Sequence, residues 1–249
     1  MQRFNDQVAL ITGAASGIGR ATAIRLGSEG ASVYCLDLQA EALAETVKMV
    51  KEAGGKAIVC ECNVTDEGAV QVAVQSCIDA FGKLNHVINM AGILMFEETH
   101  KTAFDDFDRI LKVNVLGTFL VCKVALPHLL ETRGSIVNAA STAAQAGLPW
   151  GCAYSASKGA LLSMTRSIAV EYAKQGVRAN TVSPGDIITE GMANPKMPED
   201  VDMSLLMRAM SLTGRKPPEV IASTIALLCS EDGVHITGED IRVDGGTLA

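Results

Sequence analysis

A tyrosine and a lysine four residues apart, with a serine upstream, are the residues of this sequence best suited to chemistry. Tyr154 and Lys158 are these two residues, and Ser141 precedes them. On a helix, positions four apart lie on one face, so the phenol and the ammonium can share a pocket. A nearby cation favours the phenolate and lowers the pKa of a tyrosine from about 10, which suits proton exchange with an alcohol or carbonyl oxygen. The same spacing also arises by chance on amphipathic helices, so the pair alone does not decide the chemistry.

A glycine-rich turn follows the first apolar run of the chain. Val8–Ile11 predicts a strand, Thr12–Gly19 reads Thr-Gly-Ala-Ala-Ser-Gly-Ile-Gly, and Ala21, Ile24 and Leu26 favour a helix after it. Strand, glycine turn and helix in this order form a phosphate-binding βαβ unit, in which backbone N–H groups and the helix N-terminus hold a pyrophosphate. An ordinary glycine-rich loop is the alternative interpretation.

An acidic residue closes the second predicted strand, Ser32–Asp37. A carboxylate about twenty residues after such a turn can hydrogen-bond a ribose 2′-hydroxyl, and its charge repels a 2′-phosphate. Neither Leu38 nor the glycine turn before Arg20 supplies a compensating cation. The sequence therefore predicts NAD as the cofactor in preference to NADP. A strand-end turn is the alternative role for Asp37.

Strands and helices alternate through the rest of the chain. The pattern predicts strands at 57–62, 87–89, 135–138, 177–182 and 240–243, and helices at about 40–53, 66–81, 104–121, 153–174 and 218–229. This alternation indicates the α/β class: a single doubly wound, Rossmann-type domain over 1–249, with a parallel sheet of about seven strands and helices on both faces. The segment at about 185–218, rich in proline and methionine, is predicted to be a substrate lid.

Composition limits the location and the partners. The net charge of -7 and the absence of a Lys/Arg cluster argue against a nucleic-acid partner. The N-terminus has no apolar signal region and no apolar run approaches the length of a membrane helix, so we expect a cytoplasmic protein with no membrane partner. Seven scattered cysteines and four histidines lack ligand spacing, which predicts reduced thiols and no metal site.

Six motifs taken together resemble the short-chain dehydrogenase/reductase family over essentially the whole length. Thr12–Gly19 is similar to the glycine turn of that family, and Tyr154 with Lys158 matches its Tyr-x-x-x-Lys motif. The remaining matches are Asn89-Met90-Ala91-Gly92 for Asn-Asn-Ala-Gly, Asn114 for the catalytic asparagine, Ser141 for the serine, and Pro184-Gly185 after strand six. Two positions depart from the family: Met90 replaces an asparagine, and Asn63 replaces an aspartate that faces the adenine.

The resemblance implies an oxidoreductase that transfers a hydride between NAD(H) and a CH–OH or C=O group. It makes Tyr154 the general base for oxidation, with Lys158 lowering the Tyr154 pKa and Ser141 holding the substrate oxygen. Asn114 would hold a water that relays protons; the alternative is a helix-interior asparagine that bonds the backbone. The implied cofactor contacts are Gly13, Ser16, Gly17, Ile18, Gly19, Asp37, Asn63, Val64, Asn89, Ala91, Gly92, Tyr154, Lys158, Pro184, Gly185, Ile187 and Thr189.

The loops expected to border the substrate are mostly apolar. We therefore predict an apolar alcohol or ketone, with cyclic and steroid-like compounds as candidates. The lid methionines Met203, Met207 and Met210 either adapt to a bulky substrate or, because they recur at helical spacing, pack the lid onto the core. The predicted lining residues are Leu94, Gln145, Leu148, Trp150 and Met192.

Two other functions stay open. A 3-oxoacyl-thioester reductase acting on an acyl-carrier protein would need a basic docking patch, whereas this chain has scattered arginines such as Arg133, Arg208 and Arg215. A non-catalytic dinucleotide sensor would have no need of all four catalytic residues. The resemblance further implies a homotetramer, for which Leu161, Leu162 and Ile168 would supply apolar area.

Overall fold

Seven parallel strands form the central sheet of a computed structural model that describes residues 2–190 and 196–249. Their order across the sheet is β3-β2-β1-β4-β5-β6-β7, and every neighbouring pair is parallel. The order reverses between β1 and β4, which is the switch point where doubly wound sheets bind their ligands. The predicted fold class is confirmed. The strands are β1 (Val8–Thr12), β2 (Ser32–Asp37), β3 (Lys56–Glu61), β4 (His86–Asn89), β5 (Ser135–Ala139), β6 (Arg178–Pro184) and β7 (Asp240–Val243).

Helices cover both faces of the sheet. They are α1 (Gly17–Ser28), α2 (Ala40–Glu52), α3 (Glu67–Phe81), α4 (Phe104–Leu111), α5 (Thr118–Thr132), α6 (Cys152–Tyr172) and α7 (Glu219–Cys229). Alternate side chains of β1 point to opposite faces. Ala9 and Ile11 join a core with α1, α2 and α7, whereas Val8 and Leu10 join a second core with α3, α5 and α6. The carboxyl ends of the strands are left free to build a site.

The helix predicted at 104–121 continues to Thr132. It runs from α4 through a π-helical segment, Lys112–Gly117, into α5, which contains Pro127. A proline inside a helix removes one hydrogen bond and favours a stop there. Packing outweighs this cost, because Ala125 and Leu129 on either side of Pro127 are fully buried.

This continuous helix, Phe104–Thr132, is long and apolar enough to cross a membrane, with a mean hydropathy of 1.6 over its most apolar stretch. The prediction that no apolar run approaches that length is therefore wrong. In the structure the helix packs against the sheet through Val121, Cys122 and Leu126. Length and composition alone do not separate a core helix from a membrane span.

The apolar face of α6 expected to lie at a subunit interface is turned inward. Leu161 and Ile168 are buried, and Leu162 is partly buried. Their spacing places them toward the sheet, so core packing accounts for them. Exposed apolar side chains on the helices of this side include Val72, Phe104, Leu116, Phe119 and Val170.

The predicted lid is closed at its base by its own two ends. Ile187 and Lys216 form a parallel β-bridge, and Arg215 Nε lies 2.9 Å from Asp186 Oδ1. Residues 191–195, which include the predicted lining residue Met192, lie outside the described residues. The two ends of the lid, one directly after β6 and the other shortly before α7, are thus bonded to each other.

A 3₁₀ helix, Met203–Ala209, follows in the lid. Its methionines Met203 and Met207 are 51 % and 68 % exposed, and Met210 after it is 55 % exposed. The alternative in which these residues pack the lid onto the core is wrong. An exposed row of flexible, polarisable side chains matches the other interpretation, an adaptable face.

Candidate active site

The glycine turn after β1 is shaped by close backbone contacts. Gly13 has a φ of +66°, and a Cβ added there would lie 2.7 Å from the backbone nitrogen of Ala91. Gly17 has a φ of +50°, and a Cβ there would lie 3.2 Å from Thr189 Cγ2. Side chains at these positions would be strained and would close the turn. The predicted contacts Ser16 and Ile18 lie on the same turn, partly exposed, before and within the first turn of α1.

Asp37 is fixed beside this turn by two backbone hydrogen bonds. The Ala15 N–H donates to Asp37 Oδ2 and the Gln39 N–H to Asp37 Oδ1, each at 3.1 Å. A carboxylate oxygen has two lone pairs, so both oxygens keep the capacity to accept a further hydrogen bond from a ribose hydroxyl. The position predicted from the sequence is therefore the one that the structure gives.

The residue expected at the adenine end is already engaged. Asn63 Oδ1 accepts hydrogen bonds from the Thr65 N–H at 3.0 Å and the Thr65 hydroxyl at 2.9 Å. These donors occupy both lone pairs of the amide oxygen in this structure, and the contact of Asn63 with the adenine stays a prediction. Val64 is buried beside the π-helical segment, where a Cβ added to Gly117 would lie 2.8 Å from Val64 Cγ2.

Ser141, Tyr154 and Lys158 meet at the carboxyl end of β5. Ser141 follows this strand, and its Oγ accepts a 3.1 Å hydrogen bond from the Ala143 N–H. Tyr154 lies in the first turn of α6, where its side chain is near enough to Ser141 for Ser141 to affect the Tyr154 pKa. Lys158, one turn later, places Nζ 5.5 Å from the centre of the Tyr154 ring. The structure thus brings Ser141, which is thirteen residues away in sequence, next to the Tyr154–Lys158 pair on α6.

Burial governs the charges of this group. It raises the pKa of Tyr154, and the nearby Ser141 offsets part of that rise. Burial also lowers the pKa of Lys158 to about 8, and its ammonium donates a 2.6 Å hydrogen bond to the Ala139 carbonyl. The expected lowering of the Tyr154 pKa by Lys158 is not found in this structure, because desolvation of the phenolate outweighs it.

Asn114 occupies the π-helical segment between α4 and α5 and is fully buried. Its Oδ1 accepts from the Ile93 N–H at 2.8 Å, and its Nδ2 donates to the Ile93 carbonyl at 3.0 Å and to Ser157 Oγ at 2.9 Å. The side chain therefore bonds backbone, as the alternative had it, and this backbone belongs to the loop after β4. Single π-helical turns are frequent at functional sites.

A narrow space lies between Asn114 and Lys158. A Cβ added to Gly92 would lie 3.2 Å from Asn114 Oδ1 and 3.5 Å from Lys158 Nζ. Ser157, which the sequence interpretation missed, completes this corner by donating to the Tyr154 carbonyl at 2.7 Å. A hydroxyl three residues after Tyr154 on the same helix was the available signal.

Three residues predicted to contact the cofactor or the substrate have side chains that hydrogen-bond or pack within the protein. Asn89 Nδ2 donates to Asn138 Oδ1 at 2.9 Å within the core, so this side chain ties β4 to β5. The Ile187 side chain is buried among core residues. The Gln145 amide donates to Asp240 at the start of β7. The sequence did not reveal these partners, because strand-end and loop positions do not fix the direction of a side chain.

Three other predicted lining residues lie on two loops that are hydrogen-bonded to each other. Leu94, Leu148 and Trp150 are partly exposed on the loops after β4 and β5. The Glu97 N–H donates to the Trp150 carbonyl at 2.8 Å and joins the two loops. Trp150 has a φ of +60°, which is unusual for a bulky residue and reflects the turn into α6.

The remaining cofactor positions lie at the ends of β4 and β6. The Ala91 N–H donates to Thr12 Oγ1 at 3.1 Å, next to the glycine turn. The Gly185 N–H donates to the Val243 carbonyl at 3.1 Å, directly after Pro184. Backbone groups at the carboxyl ends of β1, β4, β6 and β7 therefore lie at the same edge of the sheet as the glycine turn.

A family model described as enoyl-(acyl carrier protein) reductase matches residues 13–247. The chain belongs to the short-chain dehydrogenase/reductase family. One relative, a 3-oxoacyl-[acyl-carrier-protein] reductase of Thermotoga maritima, is 35 % identical over 247 residues, covering 99 % of each chain. The resemblance drawn from the motifs is confirmed.

Two solved structures share the fold. Carveol dehydrogenase from Mycobacterium avium, in complex with NAD, has a TM-score of 0.90 at 26 % identity and covers 100 % of this chain and 99 % of its own. A short-chain dehydrogenase from Burkholderia cenocepacia, in complex with NADP, has a TM-score of 0.90 at 32 % identity and covers 99 % and 100 %. The chain is an oxidoreductase of a family that binds NAD or NADP. The glycine turn, with positive φ at Gly13 and Gly17, the N-terminus of α1 after it and Asp37 beside it, fits such a dinucleotide.

Proposed function

We propose that this protein transfers a hydride between NAD(H) and the CH–OH or C=O group of an apolar alcohol or ketone, with cyclic and steroid-like compounds as candidates. The observation that carries this proposal is the group of Ser141, Tyr154 and Lys158 at the carboxyl end of β5, beside the glycine turn. A proton donor, a fixed hydroxyl and a buried cation in one place are what alcohol–ketone interconversion requires.

Each residue of this group has one task. In oxidation Tyr154 takes the proton of the substrate hydroxyl, and in reduction it returns a proton to the carbonyl oxygen. Ser141 holds that oxygen and stabilises charge on it. Lys158, whose ammonium is nearly buried, stabilises the phenolate form of Tyr154 when it develops. A bound nicotinamide supplies or accepts the hydride.

Asn114 acts as a positioning residue beside Lys158. Its three hydrogen bonds hold the loop at Ile93 and the helix residue Ser157 in register. A water between Asn114 and Lys158 that relays the proton to solvent remains part of the proposal.

Asp37 supports NAD as the cofactor. Its carboxylate is held at the turn with acceptor capacity left for a ribose hydroxyl, and its charge opposes a 2′-phosphate. The nearby cation, Arg20, is engaged with Ala15, Thr46 and Glu190. A compensating charge for a phosphate is therefore not free beside Asp37.

Apolar side chains around the cleft support an apolar substrate. Leu94, Leu148 and Trp150 flank it, and the lid carries exposed methionines. Apolar pockets with a few convergent polar groups bind compounds of matching polarity. The likeness to a carveol dehydrogenase agrees with a substrate of this kind.

A 3-oxoacyl-thioester reductase is the second candidate, because a relative of that name covers the whole chain. An acidic carrier protein would need a basic patch near the cleft. Arg133 lies at the amino end of β5, on the opposite edge of the sheet, and Arg215 is paired with Asp186. The complete group of four residues likewise disfavours a non-catalytic sensor.

We also propose a cytoplasmic homotetramer. The exposed side chains Leu116, Phe119 and Val170 offer apolar area on the helices that carry the site. Exposed apolar side chains support this proposal, because large exposed apolar patches mark protein–protein interfaces.

The test is NADH oxidation, followed by absorbance, with a matched panel of a cyclic terpenoid ketone, a 3-ketosteroid and a 3-oxoacyl thioester, and with NADPH in parallel. We expect turnover of the cyclic ketones with NADH. Preference for the thioester with NADPH would contradict both the substrate and the cofactor assignment.

A further inference from the structure

The first residues of the lid touch the glycine turn at two neighbouring points. Thr189 packs against Gly17, as the 3.2 Å distance from Thr189 Cγ2 to an added Cβ shows. Glu190, the next residue, accepts a 3.0 Å hydrogen bond from Arg20 Nη1 on α1. We call Arg20 and Glu190 the lid anchor.

Arg20 is held in place by more than its acidic partner. Its Nε donates to Thr46 Oγ1 at 3.0 Å, and its Nη2 donates to the Ala15 carbonyl and to the Ala42 carbonyl. The guanidinium is planar with donors in a rigid fork, so these bonds fix its orientation independently of Glu190. The side chain is only 21 % exposed. One cation therefore joins the glycine turn, α2 and the lid.

The lid anchor stands beside the place where a dinucleotide must lie. The backbone at the glycine turn and the N-terminus of α1 bind the pyrophosphate in this fold. Thr189 and Glu190 reach from the end of β6 to that turn, so they close the cleft from the lid side. If the dinucleotide binds at this turn, these contacts must separate before the lid can move away from it.

We propose that Arg20 and Glu190 are positioning residues that hold the lid over the dinucleotide and slow its release. Release of a cofactor or product after lid opening limits the turnover of many enzymes. The lid anchor would thus set how long the cofactor stays bound without touching the reacting atoms. The proposal needs only dinucleotide binding and does not depend on which alcohol or ketone is the substrate.

The expected effect is modest, because Glu190 is 69 % exposed and solvent screens the pair. Exposed ion pairs change equilibria by about two- to fivefold. Their contribution falls as salt rises, since the screening length shrinks from about 10 Å at 0.1 M to about 3 Å at 1 M.

The experiment measures the NADH dissociation rate by stopped-flow fluorescence with excess NAD as the chase. The proteins are the wild type, Glu190→Gln, Arg20→Gln and the double variant. Glu67→Gln is the matched control, because it breaks a comparable exposed pair, Lys123–Glu67 at 2.7 Å, away from the cleft. Circular dichroism and NADH binding of each variant establish that it is folded.

We expect Glu190→Gln to release NADH two- to fivefold faster at low salt and at the wild-type rate in 1 M NaCl, with Glu67→Gln unchanged throughout. Arg20→Gln is expected to be faster still, since it also loses Ala15 and Thr46, and adding Glu190→Gln to it should change nothing further. Unchanged or slower release in Glu190→Gln, or additive effects in the double variant, would overturn the proposal. Failure of the wild type to bind NADH would contradict both this proposal and the proposed function.

Discussion

The Lys158 ammonium donates a 2.6 Å hydrogen bond to the backbone carbonyl of Ala139, the last residue of β5. This contact ties α6 to the strand that leads into Ser141. It also holds a charge in a place where only 4 % of the residue is exposed. Burying an ammonium that is not paired with a carboxylate is unfavourable, so the position is explained by chemistry and not by stability.

Replacement of Lys158 by Met should therefore abolish turnover and stabilise the fold at neutral pH. The folded-state pKa of about 8 lies below the usual 10.5, so the wild type carries the full cost of the buried charge at pH 7. Stability of the wild type then rises with pH between these two values, because the unfolded chain binds the extra proton.

Each unit of the pKa shift corresponds to about 1.4 kcal/mol, and the loss of the hydrogen bond to Ala139 offsets part of this gain. We therefore expect Lys158→Met to raise the free energy of unfolding by on the order of 2 kcal/mol at pH 7. Urea unfolding of both proteins at pH 7 and pH 9.5 measures this difference, which should shrink at the higher pH. A variant that is less stable at pH 7, with a gap independent of pH, would show that the ammonium stabilises the fold.

Substitution of Asp37 by Asn should shift the cofactor preference toward NADPH. The change removes the charge that opposes a 2′-phosphate. The amide oxygen of Asn keeps one of the two hydrogen bonds from the Ala15 and Gln39 N–H groups, and the amide nitrogen cannot accept the other. We expect the ratio of kcat/KM for NADPH to that for NADH to rise at least about tenfold, the effect of roughly 1.4 kcal/mol.

Glu61→Gln is the control for this shift. Glu61 is the register partner of Asp37 on the neighbouring strand. Its replacement by Gln removes an equal charge from the same edge of the sheet. If Glu61→Gln moves the ratio as much as Asp37→Asn, the preference reflects net charge and not a contact with the ribose.

The order of the elements was readable from the sequence, because strand and helix periods alternate and the motifs fall at strand ends. The turn at Thr12–Gly19, Asp37 and the catalytic group lie where the motifs predict. The directions of Asn89 and Gln145 were not readable, since each depends on a distant partner, Asn138 on β5 and Asp240 on β7. The helix beyond position 121 was missed because only tertiary burial compensates for Pro127.

The π-helical segment likewise has no signature in the sequence. It turns Asn114 toward Ile93 and Ser157, a contact that sequence spacing does not reveal. The pKa of Tyr154 also escaped prediction. Desolvation depends on everything packed around the phenol, whereas the sequence shows only the neighbouring lysine.

Asn114→Ala should lower both stability and kcat. It leaves the Ile93 N–H, the Ile93 carbonyl and Ser157 without their buried partner, which costs about 2–4 kcal/mol. The same loss frees the loop beside Gly92 and Lys158, so we expect kcat to fall while the NADH Kd changes little.

Urea unfolding and steady-state kinetics check this pair of effects. Gln75→Ala is the control, since Gln75 is exposed on α3 and its side chain donates a hydrogen bond to Asp79 one turn later. If Asn114→Ala is as stable and as active as Gln75→Ala, Asn114 has no positioning role in the site.

Trp150→Gly should weaken selectivity for bulky substrates. The change removes a large apolar surface from the cleft and leaves the turn intact, because glycine adopts a φ of +60° without strain. We expect the KM for a cyclic ketone to rise about tenfold and the KM for a small aliphatic ketone to change less than about twofold. Equal changes for both ketones would place Trp150 outside the substrate pocket.

The most direct test of the account compares NADH oxidation by the wild type and by Tyr154→Phe with the best ketone of the panel, alongside NADH binding by fluorescence. The phenol oxygen is the atom to which proton transfer is assigned, and its loss should lower kcat by about 10²–10⁴ while the NADH Kd stays within about twofold. Turnover by Tyr154→Phe within a few fold of the wild type would contradict the assignment of Tyr154 and, with it, the proposed mechanism.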